Sequence, residues 1–360
     1  MATSLKTPNM INSKGSILAI ILISLMSCGS KQDSNVNSVK PIIVTEPVIY
    51  DTDDPAIWVN QEDPSKSLII GTDKNVDGAL YVFDLDGKIV ADKVIRGLKR
   101  PNNVDLAQGV VIGNDTMDII VTGERLTHNL RVFSVPDMKP IDGGGIPMFE
   151  GETEPEYRDL MGVSMYKRPS DNAVFVIMGR KTGPTDGTYL WQYRLGTDES
   201  GTVSATLVRK FGNYSGQFEI ESIAVDHELG YIYYSDEGVG VRKYHADPSM
   251  GNKELALFGT EVFKEDNEGI SIYDNGNGKG FILVSDQQAN AFQIFAREGS
   301  IDNPHQHDLV KTVYVSTNES DGSEISNVNF NSTFSKGIFV AMSDNKTFQY
   351  YRVEAILDLQ

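Results

Sequence analysis

Glu221 and Glu268 hold the same place in two copies of one pattern. Each opens an alternating segment, Glu221-Ser-Ile-Ala-Val225 or Glu268-Gly-Ile-Ser-Ile272. A turn and a second apolar run follow (Tyr231–Tyr234, Phe281–Val284), and then a polar end, Asp236-Glu237 or Ser285-Asp286. Alternation puts every second side chain on one face of a sheet, so like strands hold these two carboxylates in like positions. The pattern of a key residue, a small residue or proline, then apolar-x-apolar recurs with Asp54, Asn102, Met161 and Ser326 as the key residue. The successive spacings are 48, 59, 60, 47 and 58 residues. Asp53, Asp236, Glu237, Asp266 and Asp321 stand close to these positions in the chain. Carboxylates gathered at one opening raise each other's pKa unless cations sit among them, and hard oxygen donors at that density suit calcium. Any one of these acids could be an ordinary turn residue; the matched set points to a metal centre.

Basic residues fall at related places. Lys74, Arg125 and Arg180-Lys181 follow or end the second apolar run of three consecutive units. A second strand antiparallel to the first ends on the face where the first begins. One mouth would then carry cations on three units and Glu221, Glu237 and Glu268 on the next two. A basic half and an acidic half around one opening suit a polyanion gripped on one side and bridged by metal on the other.

The elements that must position these groups are strands. From residue 42 onward no helical period persists, and short runs rich in Val, Ile, Tyr and Phe alternate with Gly, Asn and Asp turns. Six units of three or four strands predict an all-β, six-bladed β-propeller over 42–360. Each first strand would line a central channel, with all six running the same way, and Ile42–Val48 is expected to pair into the last blade and close the ring.

The 360 residues carry 50 acidic and 32 basic side chains, a formal charge of −18, which excludes the basic footprint of a nucleic-acid binder. Residues 1–27 read as an export signal, with Lys6 and Lys14 ahead of an apolar run, Ile17–Met26, too short to span a bilayer. It ends Leu25-Met26-Ser27-Cys28, which resembles the lipobox of bacterial lipoproteins. That resemblance implies a lipid on Cys28, attachment to the bacterial envelope (outer membrane, periplasmic or cell-surface side), and no other contact with a membrane. Residues 28–41 read as a flexible polar tether. Cys28 is the single cysteine, so no internal disulfide forms. No oligomer interface is legible, and a monomer is expected.

The chain resembles the β-propeller phytases, the alkaline, calcium-dependent phosphatases of the Bacillus type. The resemblance rests on DDPAIW (Asp53–Trp58), TDK (Thr72–Lys74), NNVD (Asn102–Asp105), Arg125, GRK (Gly179–Lys181), ESIAVD (Glu221–Asp226), SDEG (Ser235–Gly238) and DNEGISIY (Asp266–Tyr273). It continues through GKGFILVSDQ (Gly278–Gln287), ESDG (Glu319–Gly322) and GIFVAMSDN (Gly337–Asn345), in family order. It implies several bound calcium ions and hydrolysis of phytate, myo-inositol hexakisphosphate, taken as its calcium complex. It marks Glu221, Glu237, Glu268, Asp266 and Asp321 as calcium-site acids, joined by Asp53, Asp54, Asn102 and Asp105. It marks Lys74, Arg125, Arg180 and Lys181 as phosphate binders, with Lys74, Arg125, Glu221, Glu237, Glu268 and Asp321 closest to the chemistry. Three positions depart from the family: Met161 for a tyrosine, Ser326 near an expected aspartate, and Val44 for an acid, with Glu46 close enough to stand in. Two other readings fit the same residues. One is a calcium-dependent lactonase of the gluconolactonase type, which needs one metal and no basic rim; the other is a non-catalytic lipoprotein that captures inositol phosphates.

Overall fold

The structure is a computed structural model describing residues 37–113 and 115–359. The export signal, Cys28 and the tether as far as residue 36 lie outside these residues. Six four-stranded antiparallel sheets follow one another along the chain. Blade one comprises Thr52–Trp58, Leu68–Asp73, Gly78–Phe83 and Ile95–Leu98; blade two comprises Pro101–Ile112, Asp115–Glu124, Asn129–Val135 and Ile146–Pro147. Blade three comprises Leu160–Lys167, Val174–Arg180, Leu190–Thr197 and Val203–Phe211; blade four comprises Ile223–Asp226, Tyr231–Asp236, Gly240–His245 and Ala256–Phe258. Blade five comprises Asn267–Asp274, Gly280–Asp286, Ala291–Ala296 and Leu309–Tyr314. Blade six takes Ser323–Ser326, Ile338–Ser343 and Thr347–Arg352 from the end of the chain and Ile43–Val44 from its beginning. The expected closure is present: Ile43 pairs with Tyr350 and Val44 with Gln349, so the outermost strand of the last blade comes from ahead of the first. A short helix, Val353–Leu357, follows the last strand.

The apolar pattern explains the ring. Both faces of a blade are covered, so alternate side chains of one strand enter two different cores. In the second strand of blade one, Ile69 joins a core shared with blade six, whereas Leu68 and Ile70 join the core shared with blade two. The same arrangement continues through blades two and three, three and four, four and five, and five and six. Six interfaces for six blades leave no unpaired sheet face. The first strands surround a central cavity of about 270 Å³ lined from every blade.

Close packing at the channel mouth restricts side-chain size. A Cβ added to Gly322 would lie 2.5 Å from the carbonyl oxygen of Asp53 and 2.6 Å from the Cα of Asp54. At Gly269 it would lie 2.7 Å from the carbonyl oxygen of Asp321. Backbone cannot yield as a flexible side chain can, and overpacking of this kind costs about 1–3 kcal/mol. Gly322→Ala is therefore expected to lower the melting temperature by about 5 °C, read by scanning calorimetry.

Candidate metal and phosphate site

Strand register assigns one residue of each blade to the mouth. In blades one, two, three and five the first strand bulges between two paired positions, Thr52/Pro55, Pro101/Val104, Leu160/Val163 and Asn267/Ile270. The residue just inside the bulge is Asp53, Asn102, Met161 or Glu268. In blades four and six the equivalent residue lies two before the strand and is Glu221 or Asp321. The inner ring is therefore Asp53, Asn102, Met161, Glu221, Glu268 and Asp321. This corrects the sequence pattern at two blades. In blade one the ring residue is Asp53 rather than Asp54, because Pro55 takes the register position that Val104, Val163 and Ile270 hold in the other bulged blades, two residues after the ring residue. In blade six it is Asp321 rather than Ser326, which ends the first strand and lines the channel.

A second ring surrounds the first. The residue after each second strand donates its backbone amide to a carbonyl just ahead of the ring residue: Lys74 to Asp51, Arg125 to Arg100, Lys181 to Asp159, Glu237 to Glu219, Gln287 to Asp266 and Asp344 to Asn318. These six bonds measure 2.7–3.2 Å. Blades one to three thus present cations, and blades four and five present Glu237 and Gln287, all on one face.

The two rings meet at a cluster of acids. Asp53, Glu221 and Asp321 each offer a carboxylate oxygen within 4.8 Å of the others, so these three could hold one divalent ion. Lys74 Nζ lies 2.6 Å from Asp53 Oδ1 and 3.2 Å from Asp321 Oδ2. Burial opposes charge on Lys74, but Asp53, Glu221 and Asp321 together raise its pKa above the ordinary value. Burial, then Asp53 and Asp321, push Glu221 well up; burial, then Glu221, Glu237 and Asp321, do the same to Glu268. Asp321 rises to about 7 through burial, with Lys74 opposing, and Glu237 to about 8 mainly through burial.

Several buried polar atoms at the mouth have no partner: Asp53 Oδ2, Glu268 Oε2, and both the oxygen and nitrogen of the Asn102 amide. Asn102 is fully buried. An unsatisfied buried oxygen costs about 1–3 kcal/mol, so unpartnered oxygens on Asp53, Glu268 and Asn102 fit a cation as their partner. The donors are oxygens, as hard divalent ions require.

The other sequence candidates are placed as follows. Asp266 Oδ2 accepts from Gln288 Nε2 at 2.7 Å, beside Glu237. Asp54 Oδ2 accepts the Val104 amide, and both Asp54 and Asp105 line the channel below the mouth. Asp105 Oδ2 accepts from Ser164 Oγ and the Met165 amide, each at 2.7 Å, so it stands apart from the mouth cluster. Arg125 is buried against ring position Met161, with Nη2 contacting the sulfur and Nε donating to the Leu160 carbonyl at 3.3 Å. Lys181 Nζ lies 3.6 Å from Glu219 and is partly open to solvent. Val44 sits in the outermost strand of blade six, and Glu46 caps the Ile89 amide at 2.8 Å, so neither supplies the mouth.

Arg180 differs from the phosphate-binding expectation. Its register partner is Leu160, as Asp73 partners Thr52 and Glu124 partners Pro101, which places it one residue inside the cation ring. The side chain is fully buried over Phe149; its nitrogens donate to the carbonyls of Tyr189, Tyr157 and Thr188, and Nη1 lies 3.2 Å from Glu152. Arg180→Met should cost about 3 kcal/mol by stranding these acceptors, lowering the melting temperature by roughly 10 °C. Calorimetric titration is expected to show unchanged calcium affinity.

Gln287 and Glu219 belong to the site but escaped the sequence pattern. Gln287 Nε2 donates to Asp321 Oδ1 at 2.5 Å, and the Glu219 amide donates to Glu237 Oε2 at 3.2 Å. The place of Gln287 directly after a second strand, as with Lys74, was the available signal.

Comparison with known proteins adds an independent line. Residues 9–354 match the family model described as Phytase. A 3-phytase of Bacillus subtilis (strain 168) is 27% identical over 297 residues, covering 80% of this chain and 73% of that protein. Among solved structures, the Dos1 propeller covers 84% of this chain and 67% of its own, with TM-score 0.42 and 12% identity.

Proposed function

The chain belongs to the phytase family, and on that premise we propose that it is a calcium-dependent phosphomonoesterase that hydrolyses phytate to lower inositol phosphates and inorganic phosphate. The observation that carries this reading is the convergence of Asp53, Glu221 and Asp321 on Lys74, beside buried oxygens without partners. Asp53, Glu221, Glu268 and Asp321, with Glu237, Asp266 and Asn102 around them, would hold more than one calcium ion (Ca2+). Bound calcium supplies positive charge to phosphate oxygens and lowers the pKa of a water.

This chain's own residues do the rest. Lys74, at the edge of the acidic cluster, binds an oxygen of the phosphate being removed and offsets charge that grows as the ester P–O bond breaks. Lys181, on the next cation position but one, holds a neighbouring phosphate. Arg125, fixed against Met161, adds charge from between them without reaching into solvent. Glu268 and Glu221, kept from ordinary ionisation by burial and by neighbouring acids, would be held as carboxylates by a bound cation. Water attacks phosphorus in line, the ester P–O bond breaks, and the proton that the water gives up passes through solvent to the departing alkoxide, so no covalent protein intermediate is needed.

The mouth carries acids in excess of bases, which supports phytate arriving already complexed with calcium. Export and a lipid on Cys28 are part of the same proposal and rest on residues 1–28; the protein would work as a monomer outside the cytoplasm. Among the described residues no helix is long and apolar enough to cross a membrane.

Met161 favours the second reading, a phytate-capturing lipoprotein without turnover, because a thioether stands where the other ring members offer oxygen or nitrogen. Phosphate release from phytate separates the two. The full-length protein with calcium should release phosphate, a chelator should stop it, and added calcium should restore it. Tight phytate binding with no phosphate released would leave the capture reading standing.

A further inference from the structure

Lys243 stands outside both rings, in the third strand of blade four, and is fully buried. Strand alternation sets its direction: Val241, two residues earlier, enters the core shared with blade five, and Lys243 follows it to that side. Its ammonium meets no free carboxylate there. Asp226, the acid that acts on it through space, is already held by two bonds of 2.7 Å from Arg297. Nζ reaches instead into the loop between the third and fourth strands of blade five. It donates to the Pro304 carbonyl at 2.8 Å and lies 3.1 Å from His307 Nε2. The Tyr231 ring completes the enclosure, with its centroid 3.8 Å from Nζ.

These partners fix the state of His307. Its Nδ1 lies 2.7 Å from the Ala296 carbonyl, which only accepts, and its Nε2 faces an ammonium, which only donates. The imidazole is therefore neutral, with its proton on Nδ1 and a lone pair on Nε2. A second proton would have to sit on Nε2 and point at Nζ. Burial lowers the His307 pKa to about 4, with the Ala296 carbonyl opposing and Lys243 and His305 adding to the fall. Burial lowers Lys243 to about 8, with Asp226 opposing, so the ammonium keeps its charge in acid. The other titratable groups around the contact bring no free anion: His305 stands edge-on to Tyr231, Tyr231 stacks on His245, and Tyr233 is edge-on to His307. Lys253 acts on His305, and Arg209 and Asp247 act on His245.

We propose that Lys243, His307 and the Pro304 carbonyl form an acid-sensitive latch that closes the 299–308 loop of blade five onto blade four. The His307 ring also lies 4.7 Å from Phe258, which belongs with Tyr233 to the core between the two blades. The loop's own backbone bonds are local, between Ser300 and Asn303 and from Gln306 to Asn303. Protonated His307 would set two cations 3.1 Å apart, so the loop lifts away and the core edge is uncovered. The sign follows from the direction of the shift. A folded imidazole that resists its proton contributes stability in full above the unfolded value of about 6.5, and that contribution is lost as pH falls through about 4. The blades so joined carry Glu221, Glu237 and Glu268, and the latch helps hold the seam between them.

Imidazole NMR of the full-length, calcium-loaded protein reads the tautomer and the midpoint, with the His307 signal assigned by its absence from His307→Gln. The wild type should show the proton on Nδ1 and a midpoint near 4, and Lys243→Met should raise that midpoint by about one unit. Glutamine offers Lys243 an oxygen acceptor that takes up no proton in this range. Amide exchange of residues 299–308 should therefore lose about tenfold protection in the wild type between pH 7 and pH 4, and keep it in His307→Gln. Calcium lost from the mouth at pH 4 acts on both proteins alike. A proton on Nε2, or a midpoint near 6.5, overturns the latch from the wild type alone. Loop protection that is unchanged at pH 4, or that falls equally in His307→Gln, overturns it as well.

Discussion

Calcium is expected to raise the melting temperature of the full-length protein by about 10 °C at pH 8 and by only a few degrees at pH 5. A ligand present at a thousand times its dissociation constant stabilises the folded state by about 4 kcal/mol, and in a protein of this size each kcal/mol moves the transition by about 2–4 °C. The pH dependence follows from the direction of the shifts. Glu221 and Glu268 are raised well above the ordinary carboxylate range, Asp321 to about 7 and Glu237 to about 8. In the metal-free protein these groups hold protons when folded that they release when unfolded. The stability they contribute is complete below the unfolded value of about 4 and is lost as pH rises through 7 to 8. Chelated protein should therefore melt lower at pH 8 than at pH 5, as far as these groups decide it. Calcium reverses the trend because it needs the same oxygens ionised, and at pH 5 it must first displace their protons. Scanning calorimetry with and without chelator at the two pH values reads both effects. An equal calcium shift at both would remove the mouth carboxylates from the metal site.

Lys74→Met should lower kcat/KM for phytate by about 10²–10³ in saturating calcium, the loss seen when one charged donor to a reacting centre is removed. The same variant has a second signature. Lys74 is the cation between Asp53 and Asp321, and breaking a buried ion pair from one side costs about 3–5 kcal/mol. Because Lys74 keeps some exposure, the lower end of that range applies, and metal-free Lys74→Met should melt well below metal-free wild type. Calcium supplies the missing positive charge, so the gap should close when it is added. A variant that loses activity with identical melting in chelator and in calcium would place Lys74 outside the acidic cluster.

The blade count, the closing strand and the shared face of Glu221, Glu268 and Lys74 were legible because they follow from strand periodicity. What escaped was register at the level of one residue. Pro55 stands in blade one where the other bulged blades have an apolar residue, so the small-or-proline position of the pattern was matched one residue late, on Asp54 where the fold uses Asp53. In blade six the apolar pattern after Ser326 imitates the repeat, whereas the true first strand, Ser323–Ser326, is short and polar and carries Glu324 into the channel. Arg180 and Lys181 are adjacent in sequence and alike in charge, yet alternation sends one into a buried cage of carbonyls and the other toward solvent. Side-chain direction across a two-residue step depends on where the second strand stops, and no residue type there announces it. The unpartnered Asn102 amide, likewise, is a property of its surroundings rather than of its neighbours in the chain.

The strand that seals blade six brings the two ends of the propeller together: Val39 and Leu359 pack against the same apolar core between blades five and six. Joining those ends with a short glycine-serine bridge and cutting instead at the exposed loop near Gly151 would produce a circular permutant. In that rearranged chain the seal becomes an internal connection, every inner and outer ring position survives, and the order of blades around the disc stays the same. New fusion points would then become available at exposed loops of the disc.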